Sequence, residues 1–176
     1  QQWKADYSEA DIKPCLEYFS KQFKAITDRE QGAYCTVFRL HMDPCWTNDP
    51  TKKAANEADI IAFSMARYRL YLQKLYIPLI KDAIAHGLYV IVRPPGVCPQ
   101  DISVGDKYNR YLKSVWKAFA ADEYIQQNSG LISIELANEP VRVHLSDGSN
   151  SDKALRDYFQ PVVDVIRQQG FKGIIW

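Results

Sequence analysis

An α/β fold built on parallel strands is what this sequence predicts, and three observations predict it. Four times an amphipathic, charge-bearing segment reaches a glycine and an apolar run begins at once: EQGAYCTVFRL, AHGLYVIVR, NSGLISIELA and QQGFKGIIW. The apolar runs are short and often β-branched, the pattern of strands buried on both faces and hence parallel. The connections are lopsided, short from helix to strand and long from strand to helix.

Each element can be justified in turn. SEADIKPCLEYFSKQFKAITD places Ile12, Leu16, Phe19, Phe23 and Ile26 at steps of three and four, which predicts a helix. No convincing strand precedes it in QQWKADYSE. VFRL reads as the first strand. A helical segment follows over residues 57 to 85, with Pro78 kinking or splitting it. YVIVR is the next strand, KYNRYLKSVWKAFAADEYIQQ the next helix, and LISIELA the third strand. KALRDYFQPVVDVIRQQ is a helix with Ser151 or Asp152 as its N-cap, and FKGIIW closes the series. Gly32, Gly87, Gly130 and either Gly170 or Gly173 are read as the C′ residues that end the helices.

The long connections are HMDPCWTNDPTKKAANEAD, PPGVCPQDISVGDK and NEPVRVHLSDGSNS. In a (β/α)8 barrel such loops build the active face at the strand C-termini. A doubly wound sheet also binds ligands there, through short turns and a glycine-rich phosphate loop. Neither GxGxxG nor GxxxxGK[ST] occurs, so the barrel is the expected fold.

The 176 residues suit one domain, with no linker or low-complexity stretch. A net charge of +1 gives no reason to expect nucleic acid or an anionic membrane as partner. No apolar run approaches the roughly 20 residues of a membrane span. Gln1 opens no signal peptide, so the chain is read as intracellular or already processed. Cys15, Cys35, Cys45 and Cys98 lack zinc-site spacing, and no metal or cofactor motif is seen. Tyrosines (eleven) and tryptophans (four) are plentiful, and a surplus beside a cleft would suit stacking on sugar rings.

Three strands end in Arg39-Leu40-His41, Arg93-Pro94-Pro95 and Asn138-Glu139-Pro140. As parallel neighbours they bring Arg39, Arg93 and Glu139 to one rim. A carboxylate at the end of a buried strand is partly desolvated, its pKa rises, and it becomes a candidate general acid. Asn138 is placed to hydrogen-bond a substrate hydroxyl. Pro140 biases Glu139 toward an extended backbone. The plainer alternative is a polar turn with Glu139 salt-bridged to Arg39 or Arg93.

ISIELANEP resembles the fourth-strand signature of clan A glycoside hydrolases, the cellulase-like family 5 in particular. The resemblance implies that Glu139 is the acid/base and Asn138 the ligand of the sugar 2-hydroxyl. VFRL looks like that family's second strand, making Arg39 a support of the catalytic carboxylates. YVIVRPP and FKGIIW resemble its third and fifth strands. A retaining hydrolase of β-1,4-glucan is thereby implied, with mannan, xylan or mixed-linkage glucan as other candidate substrates. No cofactor is implied, and a secreted, periplasmic or cell-surface location is expected from the family.

The departures define the expectation further. Arg93-Pro94-Pro95 stands where many members carry a cleft histidine, and the family's nucleophilic Glu would fall beyond Trp176. Residues 1–176 are therefore expected to be the N-terminal portion, about the first half, of one barrel. Its C-terminal half is the expected partner; alone, this portion would leave raw strand edges and an uncovered apolar face. Glu135 cannot stand in as nucleophile: it is about 13 Å along a strand from Glu139, against the roughly 5 to 5.5 Å a retaining pair needs. Asp43, Asp49, Asp101 and Asp106 are read as solvated loop carboxylates. A non-catalytic carbohydrate-binding half barrel is the alternative, and an α/β protein with a small-ligand site is the third reading.

Further residues stay open at this stage. Trp46 is either a sugar-stacking platform or a loop anchor. His41 is either a substrate contact or a structural histidine. Arg142 and His144 are assigned to a solvated loop, and Trp3 and Trp116 to packing. Cys45 and Cys98 are either a disulfide clamping adjacent loops or two free thiols.

Overall fold

The computed structural model describes residues 6–30 and 33–176; Trp3 and Gly32 lie outside them. In chain order its elements are α1 (Ile12–Ile26), β1 (Val37–His41), α2 (Pro44–Thr47), α3 (Met65–Tyr71), α4 (Ile77–Ala85), β2 (Tyr89–Arg93), β3 (Asp101–Ser103), α5 (Lys107–Ala120), α6 (Glu123–Gln127), β4 (Ile132–Ile134), β5 (Arg142–His144) and α7 (Ala154–Gln168). β1, β2 and β4 form a parallel sheet in that order. The last residues add a further parallel rung. Ile134 N donates to Ile174 O at 3.0 Å, Trp176 N to Ile134 O at 2.8 Å, and Leu136 N to Trp176 O at 3.1 Å. The segment expected as a strand at FKGIIW is thus a single bridge, Ile134 to Ile175. Parallel strands in chain order, with helices on one side, are part of a (β/α)8 barrel.

The two faces of this sheet differ. Leu40, Val90, Val92, Ile132 and Ile134 point to the helices and are at most 2% exposed. They share one core with Phe23, Ile80, Trp116, Phe119, Val162 and Ile166. On the inner face Val37 is 49% exposed, Tyr89 52% and Trp176 63%. The expectation of strands buried on both faces is therefore corrected: helices cover only the outside, and in a barrel the inside is filled from opposite strands. Among the described residues β1 and the terminal segment are the edges of the sheet.

Local signals explain most element ends. Gly87 adopts φ +82 after α4. Leu88 N donates to Ala83 O and Gly87 N to Ile84 O, each a helix-ending bond that a left-handed glycine permits. Gly170 ends α7 with the same sign of φ. Gly130 is not in that conformation, because α6 ends earlier, at Gln127. Gly173 serves close approach instead: a Cβ there would sit 2.2 Å from Ser129 O and 2.7 Å from Ile132 O. Pro78 lies where its segment divides. It occupies the first turn of α4, and a π-helical stretch, Leu72–Tyr76, joins α3 to α4. The segment read as one helix over 107–127 divides at Asp122, whose side chain accepts from Tyr124 N and Ile125 N. Lys153, not Asp152 or Ser151, is the N-cap of α7, although Ser151 Oγ accepts from Lys153 N.

Two of the long loops are more ordered than their composition implies. β3 and β5 pair in parallel, Asp101 with Arg142 through Ser103 with His144. Asp101 bonds Arg142 at 2.8 Å and faces His144 Nε2 at 3.3 Å. Asp101 and Arg142 are exposed, as a solvated loop implies, and with His144 they pair the two loops along the rim. Asp43 and Asp106 cap α2 and α5, and Asp49 closes a turn on Thr51.

Candidate active site

Glu139 lies just beyond the C-terminal end of β4, where the backbone is held at points on either side. Asn138 O accepts from Cys98 N at 3.2 Å, and Arg142 N donates to Gln100 O at 3.1 Å. Upstream, Trp116 Nε1 donates to Leu136 O at 3.0 Å. Between these points the chain turns at Glu139, which takes φ +53. This overturns the extended backbone expected from Pro140. A left-handed non-glycine residue costs about 1–2 kcal/mol, and such strain persists where surrounding contacts enforce it. Glu139 is exposed, so the desolvation expected of it is absent among these residues. It forms no ion pair with Arg39 or Arg93, which removes the salt-bridged turn as an account.

Asn138 is 7% exposed, and its amide oxygen takes two arginines. Arg39 Nη2 donates to Oδ1 at 2.9 Å, and Arg93 Nη1 donates to the same atom. Two charged donors fix the amide so that Nδ2 is turned away, a donor for an incoming hydroxyl. Arg39 also holds Glu135 in a two-point pair, Nε to Oε2 at 2.7 Å and Nη2 to Oε1 at 2.5 Å. The Arg39 guanidinium is pushed up in pKa, chiefly by that hydrogen bond. Its carboxylate partner is therefore Glu135, not Glu139.

His41 and Arg93 stand opposite each other in the β1–β2 register. His41 is half-buried, and its Nε2 is buried without a partner. Burial, with Arg93 next, lowers its pKa to about 4, so the ring is neutral near pH 7. Trp46 is corrected to the loop anchor: it is 4% exposed, stacked on Tyr7 at 4.6 Å and edge-on to Tyr71 at 4.9 Å. Its carbonyl accepts from Arg67 Nε. No ring face is left for a sugar. Cys45 and Cys98 are free thiols, not a disulfide. Burial, then Asp43, pushes Cys45 up to about 12, and burial pushes Cys98 to about 11, which keeps both protonated.

Asn138 and Glu139 open on a cavity of about 900 Å³, walled also by Asn56, Glu57, Val97 and Gln100. The far wall forms because the loop after β1 folds over the loop after β2, with Val97 N donating to Glu57 O at 3.1 Å. Sequence reading did not find Asn56, Glu57 or Gln100; long-range loop docking leaves no local signal. Glu135 carried one, a lone charge inside an apolar strand. No cluster of His, Cys, Asp and Glu among the described residues could hold a metal, and no helix among them is long and apolar enough to cross a membrane.

Comparison with known proteins bears on the fold and the family. A solved structure of Cel5A (EG2) from Hypocrea jecorina (Trichoderma reesei) superposes with a TM-score of 0.55 at 17% identity, over 89% of this chain and 41% of that one. A second, an endoglucanase, gives 0.52 at 14% identity, over 89% and 42%. Both likenesses concern the fold, and the chain spans about two fifths of their length. No curated protein matches the sequence. The family model for cellulase (glycosyl hydrolase family 5) matches residues 15–176, and the chain belongs to that family.

Proposed function

We propose that this chain carries the acid/base half of a retaining glycoside hydrolase acting on β-1,4-linked glucan. The observation that carries the reading is the Asn138–Glu139 pair at the end of a parallel strand, open to the cavity. Glu139 protonates the glycosidic oxygen as a carboxylate nucleophile attacks the anomeric carbon. Glu139, left as a carboxylate, then takes a proton from the water that attacks the anomeric carbon, breaks the glycosyl–nucleophile bond and releases the sugar. Asn138 Nδ2 donates to a hydroxyl beside the reacting carbon. Glu135 is committed to Arg39, so the nucleophile is assigned to barrel residues outside this chain. The two-fifths coverage of the solved structures supports that assignment. A polymer substrate also favours action outside the cell.

The test is reducing-sugar release from carboxymethyl cellulose, mannan and xylan by the complete gene product, with Glu139→Gln alongside. Release from cellulose that vanishes in the variant is expected. Activity indifferent to the substitution rejects Glu139, and preference for mannan or xylan reassigns the substrate. Sugar binding without turnover would favour a non-catalytic module.

A further inference from the structure

Arg93 lacks a carboxylate partner. The residue is 7% exposed, its Nη1 donates to Asn138 Oδ1, and its Nε is buried with no partner. The groups facing it are Arg39 and His41 from β1, Glu135 and Asn138 beyond β4, Glu57 from the loop after β1, and Tyr108 from α5. Glu135 is held by two nitrogens of Arg39. Among the described residues no carboxylate lies within ion-pair distance of Arg93, and Glu57 is an exposed cavity-wall residue. His41 contributes no negative charge, and its own Nε2 is an orphan next to Arg93. The inner face therefore holds one surplus, desolvated cation. Burial, followed by the repulsion of Arg39, lowers the Arg93 pKa, which shows how poorly this charge is compensated. Buried charges persist in folded proteins when a counter-charge and hydrogen bonds meet them. A guanidinium with a free Nε edge is shaped for a planar carboxylate.

We propose that Arg93, with His41 beside it, forms the binding position for a carboxylate supplied from outside these residues, and that Arg93 is a positioning residue for it. The inference rests on the glycosidase reading. The favoured source is a side chain of the rest of the barrel. Arg93 faces the sheet interior, whereas the cavity a polymer would enter is walled by Asn138 and Glu139 and not by Arg93. A uronic acid on the substrate is the other source of the same chemistry.

The experiment compares Arg93→Gln with wild type in the full-length gene product, by thermal melting and by kcat/KM against pH on a neutral and a uronate-bearing oligosaccharide. A protein carboxylate makes the variant melt lower at pH 7, because its partner is left buried and unpaired, and the difference closes as acid protonates that partner. The acid limb of kcat/KM then moves up by about one pH unit, since loss of a neighbouring cation raises a carboxylate pKa. Arg93→Lys restores part of both, and replaces the Gln variant if that does not fold. A substrate carboxylate leaves melting unlowered and raises KM about tenfold for the uronate substrate alone. Melting that is unlowered, or lowered equally at pH 7 and in acid as loss of the bond to Asn138 alone would give, with both substrates affected alike, overturns the proposal. If wild type cleaves neither substrate, the glycosidase reading fails and melting alone decides: a transition lowered at pH 7 whose deficit closes in acid upholds the carboxylate position, and an unlowered or pH-independent one, the mark of the lost bond to Asn138 alone, rejects it.

Discussion

In the proposed reaction Glu139 and Asn138 divide two tasks between neighbouring residues. Asn138 is locked by Arg39 and Arg93, and Glu139 is thrown into the left-handed region at the cavity edge. Replacing Asn138 with Asp keeps the acceptor for the arginines and removes the free donor. It should lower kcat/KM of the complete enzyme about 2- to 12-fold, the worth of one neutral hydrogen bond of about 0.5–1.5 kcal/mol. His41 gives a second expectation. Its folded pKa of about 4 lies below the ordinary value near 6.5, so the unfolded chain binds its proton first. Its contribution to stability is complete above pH 6.5 and is lost as pH falls toward 4. His41→Gln should therefore show a smaller drop in denaturation midpoint between pH 7 and 4.5 than wild type. The place of Asn138–Glu139 after a buried strand was legible in sequence, because the apolar run LISIELA stops at an amide and a carboxylate that open a long loop. Trp46 was not, because the rings that cover it come from Tyr7 and Tyr71, far apart in the chain. The Arg39–Glu135 pair needed the β1–β2–β4 register, which no local pattern encodes.

Elements were read well wherever a local signal ended them. Gly87 announces the close of α4, and the apolar runs announce β1, β2 and β4. β3 and β5 escaped because each has three residues and exists only through pairing with the other. The π-helical stretch before Pro78 escaped because proline removes a donor without saying how the chain will absorb the loss. Two glycines separate conformational from steric roles. Gly87→Ala meets open space and only the left-handed penalty, so it should cost roughly 1 kcal/mol in denaturant titration. Gly173→Ala drives a Cβ against two backbone oxygens and should cost more, releasing the 174–176 rung from β4. Equal costs would contradict the assignment of Gly173 to close packing.

At the scale of the whole molecule the sheet is half solved as a packing problem. Its outer face is sealed by helices, while Val37, Tyr89 and Trp176 remain in water on the inner one. The 176 residues produced by themselves are expected to self-associate in sedimentation and to leave glucan intact; a monomeric, fully active chain would contradict the account. Barrel architecture was legible from loop asymmetry, but the one-sided burial was not, since short apolar runs look alike whether helices or opposite strands cover them. Proton donation by Glu139 is the central claim, and leaving-group dependence tests it most directly. In the complete enzyme, Glu139→Gln should cut hydrolysis of a natural β-1,4-glucan about a thousandfold. Cleavage of the activated bond in a dinitrophenyl cellobioside, whose leaving group needs no proton, should fall far less in its first step. Equal losses on both substrates, or no loss on either, would contradict Glu139 as the acid.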